Sequence, residues 1–165
     1  MTATISRPKI SNWETSNIPN LTGKTALITG ANSGLGYYTA KALAEKNAHV
    51  VIACRSLEKA NQTIKKLKGL NPEGLFTPLE LDLSDLKNIV EVQSKIFDNF
   101  ENLDLLINNA GIMHPPKTLS AQGYEIQFAV NHLAHMLLTL KLLPIIEKKE
   151  ESRIVTVTSG AQFFG

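Results

Sequence analysis

The sequence predicts an α/β domain, a parallel sheet doubly wound with helices on both faces, and three observations lead there. Short runs rich in β-branched and aliphatic residues alternate with segments whose apolar residues recur at helical spacing. The connections between them are short, with no internal repeat or low-complexity tract. Thr29-Gly30-Ala31-Asn32-Ser33-Gly34-Leu35-Gly36 then closes the first apolar run and opens the first helical one.

Taken in order, residues 1–20 are polar, carry Pro8 and Pro19 and lack the apolar stretch of a signal peptide. They predict a flexible lead-in before a domain over 21–165, and the default location is the cytoplasm. Lys24 to Thr29 is the first strand, and Ala40, Leu43 and Ala44 mark one face of the helix that follows. His49 to Cys54 is the second strand. Leu57, Ala60, Ile64 and Leu67, spaced three, four and three, predict a helix with one buried stripe. Asn71-Pro72-Glu73-Gly74 is a loop. A third strand runs from near Thr77 to Leu81, and Ser84 is expected to cap a helix carrying Leu86, Ile89, Val90, Ile96 and Phe97. Leu103 to Ile107 is the fourth strand and Ile154 to Thr158 the fifth. Between them Ile126 to Ile146 is apolar enough to raise a membrane span, but Gln127, Asn131, two histidines, Lys141 and Pro144 argue against one.

Composition narrows the function classes only a little. A chain of 165 residues with 43% hydrophobic content suits one domain with a filled core. A net charge of +2 without a basic block gives no reason to invoke nucleic acid. Cys54 is the single cysteine, which rules out an internal disulfide or a cysteine-rich metal site. His132 and His135 share a helix face, but zinc needs further ligands and none is suggested; helix packing or loop capping explains them.

The glycine turn carries the chemistry. A strand, a glycine-rich turn and a helix N-terminus in that order hold a dinucleotide pyrophosphate, because glycines admit positive φ and let phosphates approach the free N–H groups of the first helical turn. The spacing here is G-x-x-x-G-x-G. With four further motifs, it resembles the short-chain dehydrogenase/reductase family from about Thr22 to the last residue. Asn108-Asn109-Ala110-Gly111 is similar to the family element that steadies the central sheet and lines the cofactor site. Asp82-Leu83 is similar to the segment that meets the adenine. Asn131 falls at an asparagine of the family's catalytic tetrad, and Ser159 at its catalytic serine. The resemblance therefore implies a Rossmann-type sheet of strand order 3-2-1-4-5, with Gly30, Asn32, Ser33, Gly34, Leu35, Gly36, Asp82, Leu83, Asn109, Ala110 and Gly111 at the cofactor. Within the family, the long helix containing Asn131 and the strand end Cys54-Arg55-Ser56 look most like retinol-dehydrogenase-type or WW-domain-oxidoreductase-like members.

Cofactor choice is read at the end of the second strand. An acidic residue there would bond the ribose 2′-OH of NAD, whereas a cation accommodates a 2′-phosphate. The strand ends Cys54-Arg55-Ser56, with Arg55 nineteen residues past Gly36 and no carboxylate. A guanidinium suits phosphate oxygens, so NADP(H) is expected over NAD(H), with Arg55 as selector.

The implied reaction is hydride transfer between NADP(H) and a small carbonyl or alcohol substrate, in a protein that forms homo-oligomers in parts of the family. It also implies a tyrosine and a lysine one helical turn apart, after the serine strand, and the 165 residues hold no such pair there. Tyr37-Tyr38-Thr39-Ala40-Lys41 satisfies Y-x-x-x-K but sits on the helix of the phosphate loop, as an ordinary i,i+4 pair. Tyr124, with Phe128 four residues on, fits no better. These 165 residues are therefore expected to be catalytically inactive by themselves: the amino-terminal part of an oxidoreductase or, alternatively, a non-catalytic NADP(H)-binding module or degenerate relic. Methyltransferases and sugar epimerases on related folds lack support from Arg55 and the Asn-Asn-Ala-Gly element.

Overall fold

The computed structural model describes residues 12–160. Five strands, β1 (Thr25–Thr29), β2 (His49–Cys54), β3 (Phe76–Glu80), β4 (Leu105–Asn108) and β5 (Arg153–Thr156), form one sheet in the order β3-β2-β1-β4-β5. All four pairings are parallel, with Leu27 opposite both Val51 and Leu106. Parallel neighbours require crossovers, and the helices supply them: α1 (Gly34–Ala44), α2 (Leu57–Leu70) and α3 (Leu86–Asn99). A continuous helical stretch joins β4 to β5. It comprises α4 (Ile126–Phe128), a π turn over Ala129–Leu133 and α5 (Ala134–Ile146).

The core divides by strand alternation. Leu27, Val51 and Leu106 face α3 and α5, where they meet Ile89, Val92, Ile96, Leu138, Leu142 and Ile145. Ile28, Val50 and Ile52 face α1 and α2, against Ala40, Leu43, Ala60 and Leu67. Both faces of the central strands are thereby covered, which explains why they read as near-continuous apolar runs. The stretch from Ile126 to Ile146 is the one helix among the described residues long and apolar enough to cross a membrane. Here its Ala134, Leu138, Leu142 and Ile145 are buried in the core.

Several local expectations are corrected. Asp85, not Ser84, caps α3, accepting from the Lys87 N–H at 2.9 Å; Ser84 instead gives its hydroxyl to Asp82 Oδ1 at 2.6 Å. The buried stripe of α2 runs through Ala60, Thr63 and Leu67 with Ile64 packed against the same core; Thr63 is accommodated because its hydroxyl donates to the Lys59 carbonyl at 2.8 Å, and Leu57 is exposed. β4 starts two residues later than expected, since the Asp104 carboxylate turns to the Thr25 N–H (2.9 Å) and Lys24 Nζ (3.1 Å). Part of the expected lead-in lies outside the described residues. The remainder is tied down: Ile18 packs on the core, Lys46 Nζ donates to the Ser16 carbonyl at 3.1 Å, and Asn47 Nδ2 to Asn20 Oδ1 at 3.1 Å.

Candidate cofactor site

Parallel winding places the carboxyl ends of β1, β2, β3 and β4 along one edge, and a cleft of about 530 Å³ opens there. Gly30, Asn32, Arg55, Asp82, Leu83, Ala110 and Gly111 all line it, although they lie up to 81 residues apart in sequence. The loop after β4 and the start of the long helix close the far side through Ile112, Leu119, Ile126 and Val130.

The phosphate end is built on glycine. Gly30 has φ +65° and packs so near Ala110 that a Cβ would lie 3.0 Å from that residue's Cα. Gly34 has φ +52° with open space around it, so its requirement is conformational. Gly36 carries a packing constraint besides. A Cβ there would meet Asn109 Nδ2 at 2.5 Å, so the constraint comes from the protein itself. Ser33 precedes α1 without a side-chain capping bond, so its hydroxyl takes up none of the first-turn amides of α1. This cradle suits a pyrophosphate.

Behind the cradle, buried Thr29 is a junction. Its Oγ1 accepts the N–H groups of Asn109 and Ala110, each at 2.9 Å, and Asn109 Nδ2 donates to the Thr29 carbonyl at 2.8 Å. Asn108 is buried and donates to Thr139 Oγ1 at 3.0 Å, fastening β4 to α5. The Asn-Asn-Ala-Gly segment thus locks β4 to the phosphate turn on one side and to α5 on the other.

At the opposite end, Arg55 leaves β2 and Ser56 caps α2, its Oγ accepting from the Lys59 N–H at 3.3 Å. Lys59 lines the same wall. Sequence reading missed it, although its i,i+4 spacing from Arg55 was visible. Cys54 also lines the cleft, and burial pushes its thiol pKa up, which disfavours the thiolate. Asp82 Oδ1 accepts from the Ser84 N–H at 2.9 Å, which shapes the turn after β3. Gln122 bridges to the α3 cap, donating to Asp85 Oδ1 at 2.7 Å and accepting from the Leu86 N–H at 3.0 Å. That bond, with the Lys87 N–H, holds the Asp85 carboxyl below its ordinary pKa.

Asn131 stands in the π turn, where the Ala134 N–H reaches back five residues to the Ala129 carbonyl. Its amide is committed to the loop after β4: Oδ1 accepts from the Ile112 N–H at 2.8 Å and Nδ2 donates to the Ile112 carbonyl at 2.9 Å. Ser159 is exposed, three residues beyond Thr156, which pairs with Asn108, and so lies at the same edge of the sheet. Ser33, Gly34, Leu35, Gly36, Asn109, Asn131 and Ser159 do not line the cleft itself. Tyr37 and Lys41 also lie off it: Tyr37 meets Tyr38 edge-on and Lys41 pairs with Glu45 at 3.6 Å. His132 stacks on Phe128 with centroids 5.3 Å apart, and Tyr124 is half-exposed.

A 3-2-1-4-5 parallel sheet with a glycine cradle at its carboxyl edge defines a Rossmann-type fold. The chain belongs to the short chain dehydrogenase family, whose sequence profile matches residues 24–165. It is 41% identical over 143 residues to human retinol dehydrogenase 13, covering 87% of this chain and 43% of that protein. It is 38% identical to human retinol dehydrogenase 11, covering 96% and 50%. The chain therefore spans about half the length of the curated relatives it matches. Among solved structures, a short chain dehydrogenase from Escherichia coli CFT073 complexed with NADPH superposes with a TM-score of 0.77 at 26% identity, covering 88% of this chain and 62% of that one.

Proposed function

We propose that the chain is the cofactor-binding part, residues 21–165, of an NADP(H)-dependent oxidoreductase that transfers hydride between the nicotinamide and a carbonyl or alcohol substrate. The observation that carries this reading is the wall of Arg55, Ser56 and Lys59 at the far end of a cleft that begins in a glycine cradle. Two cations and a helix N-terminus suit a 2′-phosphate, and no carboxylate stands at the end of β2 to receive a ribose hydroxyl instead.

The remaining roles follow that placement. Gly30, Asn32, Ser33, Gly34, Leu35 and Gly36 would hold the pyrophosphate through backbone amides. Asp82 and Leu83 would flank the adenine, and Asn109, Ala110 and Gly111 the nicotinamide half. When bound, the cofactor supplies or accepts the hydride. The Ser159 hydroxyl would donate to the substrate oxygen, and Asn131 would set the loop that borders it. A cytoplasmic location, the default read from the polar first twenty residues, belongs to the same proposal, and homo-oligomeric assembly rests on the family resemblance.

Titrating NADPH and NADH against the wild type and Arg55→Ala tests the reading. NADPH is expected to bind at least about tenfold more tightly than NADH in the wild type, the weight of one charge-assisted hydrogen bond. Arg55→Ala should erase most of that difference. Equal affinities in the wild type would overturn the assignment.

A further inference from the structure

We propose that His135 is a positioning residue that holds the Asn131 turn in register with the phosphate loop, accepting from the Thr29 hydroxyl at Nε2 and donating from Nδ1 to the Asn131 carbonyl. No motif above uses this imidazole. It is buried, 5% exposed, and touches both halves of the site: Nε2 lies 2.9 Å from Thr29 Oγ1, and Nδ1 3.3 Å from the Asn131 oxygen.

Two separate arguments fix the proton. Thr29 Oγ1 already accepts two N–H groups, which fills its lone pairs, so it has only its own hydrogen to offer. The nearest acceptor for that hydrogen is Nε2; the Ile107 carbonyl is farther, at 3.5 Å. From the other side, the Asn131 carbonyl can only accept, which puts the proton on Nδ1. Both ends require the same neutral Nδ1–H tautomer. Burial also pulls the imidazole pKa down and keeps the ring neutral at pH 7.

The result is one directional chain: the amides of Asn109 and Ala110 donate to Thr29, Thr29 to His135, and His135 to Asn131. It spans β1, the loop after β4 and the π turn. The π turn gives the chain its functional meaning, because such turns break the regular ladder and re-aim side chains. Asn131 in turn grips Ile112, which lines the cleft. A shift of His135 would therefore move the cleft's border without touching a ligand.

The functional half of this inference rests on the NADP(H) reading; the structural half does not. Long-range proton–nitrogen correlation on the ¹⁵N-labelled chain at pH 7, without cofactor, should show His135 as a single Nδ1–H tautomer. An Nε2–H ring, a charged ring or a mixture would overturn the proposal. His135→Phe fills the volume but removes both bonds. It should displace the Ile112 amide resonance and weaken NADPH binding about three- to tenfold, the weight of one net hydrogen bond. His135→Gln, whose amide oxygen can accept from Thr29, should recover most of both. An unmoved Ile112 resonance, or no recovery in the Gln variant, would overturn it. If His135→Phe does not fold, His135→Gln against His135→Asn decides, since only Gln reaches Thr29 and equal behaviour refutes the relay. If the wild type binds neither cofactor, the NADP(H) reading fails, while the tautomer and the Ile112 resonance still decide the relay.

Discussion

Asn109 packs against Gly36 so closely that a Cβ on residue 36 would stand 2.5 Å from Asn109 Nδ2 and 2.6 Å from the Gly30 carbonyl oxygen. The third glycine of the turn is thus a packing device that seats the loop after β4 on the first turn of α1. Gly36→Ala is expected to lower stability by about 1–3 kcal/mol, the range for overpacking a tight contact, and to weaken NADPH because Asn109 must leave Thr29. Gly34→Ala meets no neighbour and suffers only its φ of +52°, so its stability loss should be smaller. Denaturant melts of both variants check this; equal losses would mean that backbone conformation alone sets the pattern.

Gly34→Val adds a different burden. A β-branched side chain resists positive φ and projects into the space where phosphates would approach. A folded Gly34→Val chain should bind NADPH and NADH more weakly by similar factors, as measured by fluorescence titration. Unchanged affinity would remove the turn from the cofactor site.

Lys59 is expected to act on the 2′-phosphate alone. Its N–H keeps the Ser56 cap in any variant, so Lys59→Ala removes charge without opening α2. NADPH affinity should fall about two- to tenfold at low salt, and less at high salt, because an exposed charge is screened. NADH affinity should not move. Parallel titrations at two ionic strengths measure this, and an equal effect on both cofactors would place Lys59 elsewhere.

Acid should weaken the fold through two imidazoles. Burial lowers the pKa of both His135 and His49, so the folded protein holds them neutral where the unfolded chain, near about 6.5, begins to take up protons. The unfolded state then binds more protons and gains. This contribution is fully present above about pH 6.5 and is lost as pH falls from there through the lowered folded pKa values. Denaturant midpoints should decline as pH falls below about 6.5, and His135→Gln should flatten the decline. A flat wild-type profile would contradict the buried neutral assignments.

How far the sequence reaches is visible in these residues. β2 was legible from end to end because His49 to Cys54 is an uninterrupted β-forming run, and the glycine turn because its residue types are forced by local backbone geometry. The site's wiring was not. Gly36 is constrained by a residue 73 positions away, Ser84 lost its cap to an Asx-type bond with Asp82, and a π turn leaves no mark on apolar spacing. His135 looked like ordinary helix packing because its partner, Thr29, lies 106 residues upstream. Local rules found what local forces decide; the hydrogen-bond network needed the fold.

Catalysis by these 165 residues alone is expected to be negligible even with NADPH bound. Hydride arrival builds negative charge on the substrate oxygen, and a placed proton donor is worth about 10²- to 10⁴-fold. The Tyr37–Lys41 pair satisfies the spacing but not the place, since both residues lie off the cleft and Lys41 is engaged by Glu45. NADPH oxidation assayed with several aldehydes and ketones should stay at background. Turnover abolished by Tyr37→Phe would reinstate that pair.

Among the described residues β5 pairs only with β4; its Ile154 and Val155 are 41% and 45% exposed, and Val157 just beyond it 41%. An open edge of β-branched residues is a template for pairing with another chain. Met136 and Leu140, each 53% exposed on α5, add apolar surface. A polypeptide of these 165 residues should therefore self-associate as its concentration rises, measured by size-exclusion chromatography with light scattering. Val155→Lys places a charge on the edge strand, a device by which natural sheets block such pairing, and should shift the population toward monomer while leaving NADPH affinity alone, because Val155 is not among the residues that line the cleft. A wild-type chain that stays monomeric and melts cooperatively at all concentrations would show that the edge is protected within these residues and that they form a self-sufficient binding domain.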